Sequence, residues 1–229
     1  PVTGGTTYSH PVGTRGNGVP PPQPETGYFG TSTHITTNNG IGYVEVIWQD
    51  VDGLITNVTL NNGRVTFTKA ASGTGNAFIG IKASAAATTY IWSWHIWVTD
   101  APLTTGFNNL TWMDRNLGAT SNTFDAVGNA KGLLYQWGRK DPFPSGEGWT
   151  NTNKTVYGAG ITTATVTMAN NLSRGWENPT TFYTNNSGLY DWVTSSGTRN
   201  NNQQDNLWGS ATSEDTGNKS IYDPCPPGF

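Results

Sequence analysis

Nine consecutive residues, Tyr90-Ile91-Trp92-Ser93-Trp94-His95-Ile96-Trp97-Val98, constrain the fold more than any other stretch of the chain. Read as a strand, they place Tyr90, Trp92, Trp94, Ile96 and Val98 on one face, with Ile91, Ser93, His95 and Trp97 on the other. Both faces carry large apolar groups, so neither can be left to water. Such a strand is either central in its sheet or covered on its second side by another part of the chain.

Four shorter segments upstream have the same character. Tyr43–Asp50, Ile55–Leu60, Arg64–Thr68 and Ala77–Lys82 read as strands. They are separated by turn signals at Val51-Asp52-Gly53, Asn61-Asn62-Gly63 and Gly73-Thr74-Gly75-Asn76. Five short strands at this spacing predict an antiparallel β-sandwich over residues 41–100. Before them, residues 1–40 form a Pro/Gly/Thr/Asn-rich lead-in. Pro20-Pro21-Pro22 and Pro24 forbid a helix or a central strand there, and a short extended segment is expected around Tyr28-Phe29. Pro102 ends the last strand, and residues 101–106 are the expected linker to a second unit over 107–229.

That second unit is organised around Asn109–Pro144, which holds Trp112, Trp137, a Leu133-Leu134-Tyr135 run and many turn formers. It reads as a loop-rich packed core. Leu110–Met113 is a predicted strand, Gly132–Gly138 a strand or one or two helical turns, and Ala159–Asn170 a Thr-rich strand pair. Short ordered pieces are expected at Asn178–Tyr183 and Leu189–Val193. Trp48, Trp92, Trp94, Trp112, Tyr135 and Trp137 are the aromatics expected in the core.

Composition narrows the function classes. Charged residues make up 12% of the chain, about half the usual globular share, and Thr, Asn and Ser supply the polarity instead. The aromatic fraction, also 12%, is too high for a disordered chain. Residues 1–100 carry four basic against five acidic side chains, and residues 101–229 eight against ten. No basic patch exists to hold a phosphate backbone, which argues against nucleic acid as a partner. No apolar run approaches the roughly 20 residues of a membrane-spanning helix. The chain opens on PVTGGTTYSHP, as expected of a mature, processed or partly observed protein. Cys225 is the one cysteine and has no internal partner, a usage that fits a bacterial surface protein.

Three segments resemble the FISUMP domain (Fibrobacter succinogenes major paralogous domain) in order and spacing. They are Asn109-Leu110-Thr111-Trp112-Met113-Asp114-Arg115-Asn116-Leu117-Gly118-Ala119, Gly132–Phe143 (GLLYQWGRKDPF) and Tyr222-Asp223-Pro224-Cys225-Pro226-Pro227-Gly228-Phe229. The segments Val46–Asp50 and Gly75–Asp100 are similar to the β-sandwich that precedes this domain in fimbrillin-like surface proteins of the Bacteroidales. The resemblance implies an exported, cell-surface or fimbria-associated protein. For the second unit it implies an α+β, C-type-lectin-like fold. The family pattern continues beyond its C-P-x-G-F element, so more chain is expected after Phe229.

No residue pattern points to catalysis. His10, His34 and His95 have no metal-ligand spacing, and no nucleophile elbow, phosphate loop or dinucleotide fingerprint occurs. His95 is expected to be a hydrogen-bonded structural histidine. No cofactor is expected, but the lectin-like resemblance raises calcium, for which Asp205, Glu214, Asp215 and Asp223 are the candidate oxygen ligands. Trp149, Trp176, Trp192 and Trp208 lie in loops and are the candidate sugar-stacking residues. The function expected is therefore a structural subunit of an extracellular filament, assembled from its own copies or with other fimbrial subunits, with residues 1–40 donating a strand to a neighbour. The alternative is an adhesin that recognises glycan or host protein through residues 140–215.

Overall fold

The structure, a computed structural model, describes residues 7–12, 40–100, 102, 104–107, 110–124, 128–145, 155–166, 172–185, 192–193, 207–208 and 220–226. These are mainly β. In chain order come β1 (Thr7–Pro11), β2 (Tyr43–Gln49), β3 (Ile55–Asn61), β4 (Arg64–Lys69), β5 (Gly75–Lys82) and β6 (Trp92–Val98). There follow β7 (Thr104–Phe107), β8 (Leu110–Met113), β9 (Leu134–Tyr135), β10 (Pro142–Phe143), β11 (Tyr157–Gly158) and β12 (Thr162–Val166). Helix α1 (Leu172–Glu177) and β13 (Thr181–Asn185) complete the elements.

Two sheets carry the first core: a three-stranded sheet in the order β1-β4-β3 and a four-stranded one in the order β11-β2-β5-β6. Both are antiparallel. Val65 and Phe67 of the first sheet join Ala77, Ile79, Ile81, Trp92 and Val98 of the second in one apolar cluster. Ile221 and Tyr222, from far along the chain, belong to the same cluster. The β3–β4 hairpin turns on Asn62 and Gly63, at φ of 48° and 70°. Positive φ at both central positions is what a two-residue hairpin with right-handed strand twist requires, and Asn-Gly accepts it at least cost. In β3, Asn57 also has φ of 51°, where the register against β4 shifts between Thr56 and Thr59. That combination is a β-bulge.

The strands expected upstream of residue 100 are present with small shifts in their ends, but their roles differ from the simplest reading. β6 is the edge of its sheet and β5 is central, with all eight of its residues buried. β6 meets its burial requirement in the second way: the Ser93, His95 and Trp97 side is covered by residues 119, 135 and 141.

Two expectations are corrected, and one strand lies where none was expected: Thr7–Pro11 pairs with β4 of its own chain from Thr7↔Thr68 to Pro11↔Arg64 and is followed by buried Val12. Tyr28 and Phe29 lie outside the described residues. The expected linker contains a strand, since β7 pairs with β8 through Thr105↔Trp112 and its neighbours. Among its described residues the Thr-rich segment forms one strand rather than a pair: β12 runs parallel to β13, from Thr162↔Thr181 to Val166↔Asn185. A parallel pair needs a crossover connection, so neighbouring sequence could not supply the partner. Among the described residues, no helix is long and apolar enough to cross a membrane.

Candidate functional site

Neighbouring β5 and β6 place Asn76, Phe78 and Gly80 beside Trp97, His95 and Ser93 on one face of the sheet. Three of these six side chains are polar, and the face is covered by chain from residues 117–145. A buried polar group without a partner costs about 1–3 kcal/mol, so each of the three has to find one.

Asn76 does so through both of its ends. Its backbone N–H and its side-chain Nδ2 donate to the two carboxylate oxygens of Asp50, at 2.6 and 2.8 Å. Nδ2 also donates to the Gly118 carbonyl at 2.9 Å. The remaining atom, Oδ1, can only accept, so His95 Nε2, at 2.9 Å, must carry a proton. His95 Nδ1 is then the acceptor for the Tyr135 hydroxyl at 3.3 Å. The chain Asp50–Asn76–His95–Tyr135 fixes a neutral imidazole with both nitrogens engaged, as expected for a structural histidine. Burial of the ring pulls its pKa down to about 3. Burial also pushes the Tyr135 phenol well above its usual range.

Ser93 is served by a second cluster. Its hydroxyl donates to Asp141 Oδ1 at 2.8 Å and accepts from Lys140 Nζ at 2.6 Å, while Lys140 pairs with Asp141. The ammonium sits 4.3 Å from the centre of the Trp92 ring, a cation–π arrangement. Ser93 is 1% exposed, and through this cluster residues 140 and 141 are tied to β6.

Arg139 forms the third cluster. Its guanidinium donates to the carbonyls of Gly175 (2.9 Å), Pro179 (3.0 Å) and Thr181 (2.5 Å). It faces the rings of Phe143, Tyr183 and Trp192 at 5.0–5.7 Å. Asp141 Oδ2 lies 3.6 Å away. Gln136 adds to it: Nε2 donates to the Tyr183 carbonyl at 2.5 Å and Oε1 accepts from the Tyr183 N–H at 3.3 Å. Two side chains from one turn thus saturate the end of α1 and the outer edge of β13.

The expected site residues are dispersed. Of the core aromatics, Trp48 and Trp92 are fully buried, Trp94 and Tyr135 half-buried, and two are corrected: Trp112 is 53% and Trp137 45% exposed. Trp112 lies on the β7–β8 pair, which hydrogen-bonds to no other described strand. The turn that points Gln136 and Arg139 inward points Trp137 out. Of the sugar-stacking candidates, Trp192 is buried and stacks on Tyr183 at 5.7 Å. Trp176 stacks on Tyr222 at 5.8 Å beside Trp92. Both rings pack against neighbouring aromatics, and Trp176 is half-buried. Trp208 is half-buried, 4.6 Å from exposed Trp137, and Trp149 lies outside the described residues. Asp205, Glu214 and Asp215 also lie outside them, and Asp223 accepts the Cys225 N–H at 2.8 Å in a local turn. Among the described residues, no three His, Cys, Asp or Glu side chains converge as a metal site. Sequence reading missed Asn76, Gln136 and Arg139, whose partners lie far along the chain and leave no local signal.

The chain matches no protein-family model, no curated protein and no solved structure.

Two outcomes are expected. Arg139→Lys keeps the charge but loses the planar fork, leaving buried carbonyls at 175, 179 and 181 short of donors. It should lower the unfolding free energy by about 3 kcal/mol in urea titrations followed by tryptophan fluorescence. His95 is neutral in the folded protein down to about pH 3, whereas the unfolded chain takes up its proton near pH 6.5. Stability should therefore fall as pH drops from about 6.5 towards 3, by about 1.4 kcal/mol per pH unit from this group. His95→Gln should flatten that part of the stability–pH curve.

Proposed function

We propose that this chain is a non-enzymatic structural subunit of a bacterial extracellular filament or fimbria-like surface assembly. In this reading the two sheets around the first core form a β-sandwich, and residues 107–229 a lectin-like unit packed against it. The observation that carries it is β1. This strand sits at the edge of the β1-β4-β3 sheet, is anchored by buried Val12, and is joined to β2 by residues 13–42. A strand on so long a tether can complete the same edge of a neighbouring copy, and main-chain pairing supplies the adhesion.

The second reading, a surface adhesin for glycan or host protein, is favoured by one feature. Trp137 and Trp208 lie 4.6 Å apart at 59°, with Trp137 open to solvent and Leu134 exposed on the preceding strand. Exposed tryptophan faces stack on sugar rings.

Deletion of residues 1–12 should abolish filaments seen by negative-stain electron microscopy, and a peptide of sequence TYSHPV should bind the shortened chain. Filaments unchanged by the deletion would end the strand-donation reading. For the adhesin, Trp137→Ala should remove binding on a glycan array without lowering stability by more than about 1 kcal/mol. An array with no wild-type signal counts against it.

A further inference from the structure

The two edges of the β12–β13 pair are treated differently. On β13, Arg139 takes the Thr181 carbonyl, the Thr181 N–H donates to the Asn178 carbonyl, and Gln136 takes both backbone groups of Tyr183. On β12, the Thr162 N–H donates to the Thr180 carbonyl and the Ala164 carbonyl accepts from Thr184 Oγ1. Residues 162, 164 and 166 therefore turn their backbone groups towards β13, and by alternation Thr163 and Thr165 turn theirs away. Both threonines are exposed, and no described residue hydrogen-bonds to the outward side of either.

Proteins commonly protect such an edge with lysine, proline, a bulge or a covering segment. Thr162-Thr163-Ala164-Thr165-Val166 contains no charge, no proline and no glycine, and its pairing with β13 runs without a register shift. Nor does the pair gain much by itself, since a two-stranded sheet is marginal in water and parallel pairs are usually covered on both sides.

We infer that the open edge of β12 pairs antiparallel with β12 of a second copy of this chain. The sequence is self-complementary about Ala164. An antiparallel register centred there sets Thr163 against Thr165 of the second copy, and Thr165 against its Thr163. Those are the residues whose backbone groups face outward, so each opposed pair exchanges both of its backbone hydrogen bonds. Their side chains meet as Thr–Thr cross-strand pairs, a favourable combination, and no like charges are brought together. The contact is isologous and closes on itself, giving a continuous sheet in the order β13-β12-β12-β13 across a two-fold axis. It is distinct from strand donation, which uses β1 and β4 at a different edge and propagates.

The test is sedimentation velocity of the full chain over a concentration series. Wild type should show a reversible monomer–dimer equilibrium. Thr165→Pro removes one outward N–H and none that faces β13; it should weaken the dimer at least tenfold. The double variant Thr163→Lys with Thr165→Lys keeps every backbone donor, places like charges opposite one another, and should do the same. Near-UV circular dichroism checks that each variant is folded; if Thr165→Pro is not, the lysine variant decides. A wild type that stays monomeric throughout, or dimers of equal affinity in wild type and the lysine variant, would overturn the inference. Because both variants leave β1 intact, filaments that depend on residues 1–12 should persist in them, so failure of the β12 contact and failure of strand donation are told apart.

Discussion

A charge that has to stay dry governs the loop-rich part of this molecule. Arg139 is 2% exposed. Burial lowers its pKa and nearby Asp141 raises it, yet a guanidinium remains charged at any physiological pH. Taking it out of water costs several kcal/mol, and only a near-complete set of acceptors offsets that. The acceptors are backbone carbonyls at 175, 179 and 181, which without it would be the orphaned groups of a short helix and its exit turn. Each side solves the other's problem, and the six residues of α1 need such help because a helix of that length is not stable alone. Around this exchange the aromatic rings of Phe143, Tyr183 and Trp192 complete a small second core.

The other polar residues act in the same way at the face of the main sheet. Asn76, Ser93 and His95 sit on strands that must be buried on both sides, and their partners lie at residues 50, 118, 135 and 141. Hydrogen bonds of this kind add little net stability each, but they are costly to leave unmade. They therefore fix the register in which residues 117–145 lie on the sheet more than they glue it there. Apolar contacts supply the adhesion: Leu133 and Val156 pack on Ile47, Trp48 and Phe78, and Ile221 and Tyr222 complete the first core. The sequence changes character near residue 101, yet burial is not divided at that point.

What could be read from the sequence follows from range. β2 to β6 were legible because alternation and Asn-Gly or Asp-Gly turns are local signals. β1 was not, since five residues ending in proline carry no usable period and the strand is defined by its partner 53 to 61 residues away. β12 and β13 were each visible as ordered or Thr-rich segments, but their parallel pairing depends on the crossover between them. Tryptophan was the least legible residue. Its size suggests the core, yet Trp192 is buried and Trp137 is not, because a single turn decides which side chains point inward. The hydrogen bonding expected of His95 is present at both ring nitrogens, because a histidine inside an apolar strand has few ways to be satisfied. Arg139, in a Gly-Arg-Lys-Asp run that looks like surface, gave no warning.

The contrast between the two edges of the β12–β13 pair bears on how a chain with so little charge protects its strand edges. Twelve per cent charged residues cannot place a lysine on every exposed edge. One substitute is visible at β13, where long polar side chains from a neighbouring turn take the Thr181 carbonyl and both backbone groups of Tyr183. Another is visible at β4, where the edge is filled by a strand from the start of the chain. Both devices use hydrogen bonding in place of repulsion, and both must be built into a particular place. An edge reached by neither, and carrying only threonine, alanine and valine, keeps its capacity to pair.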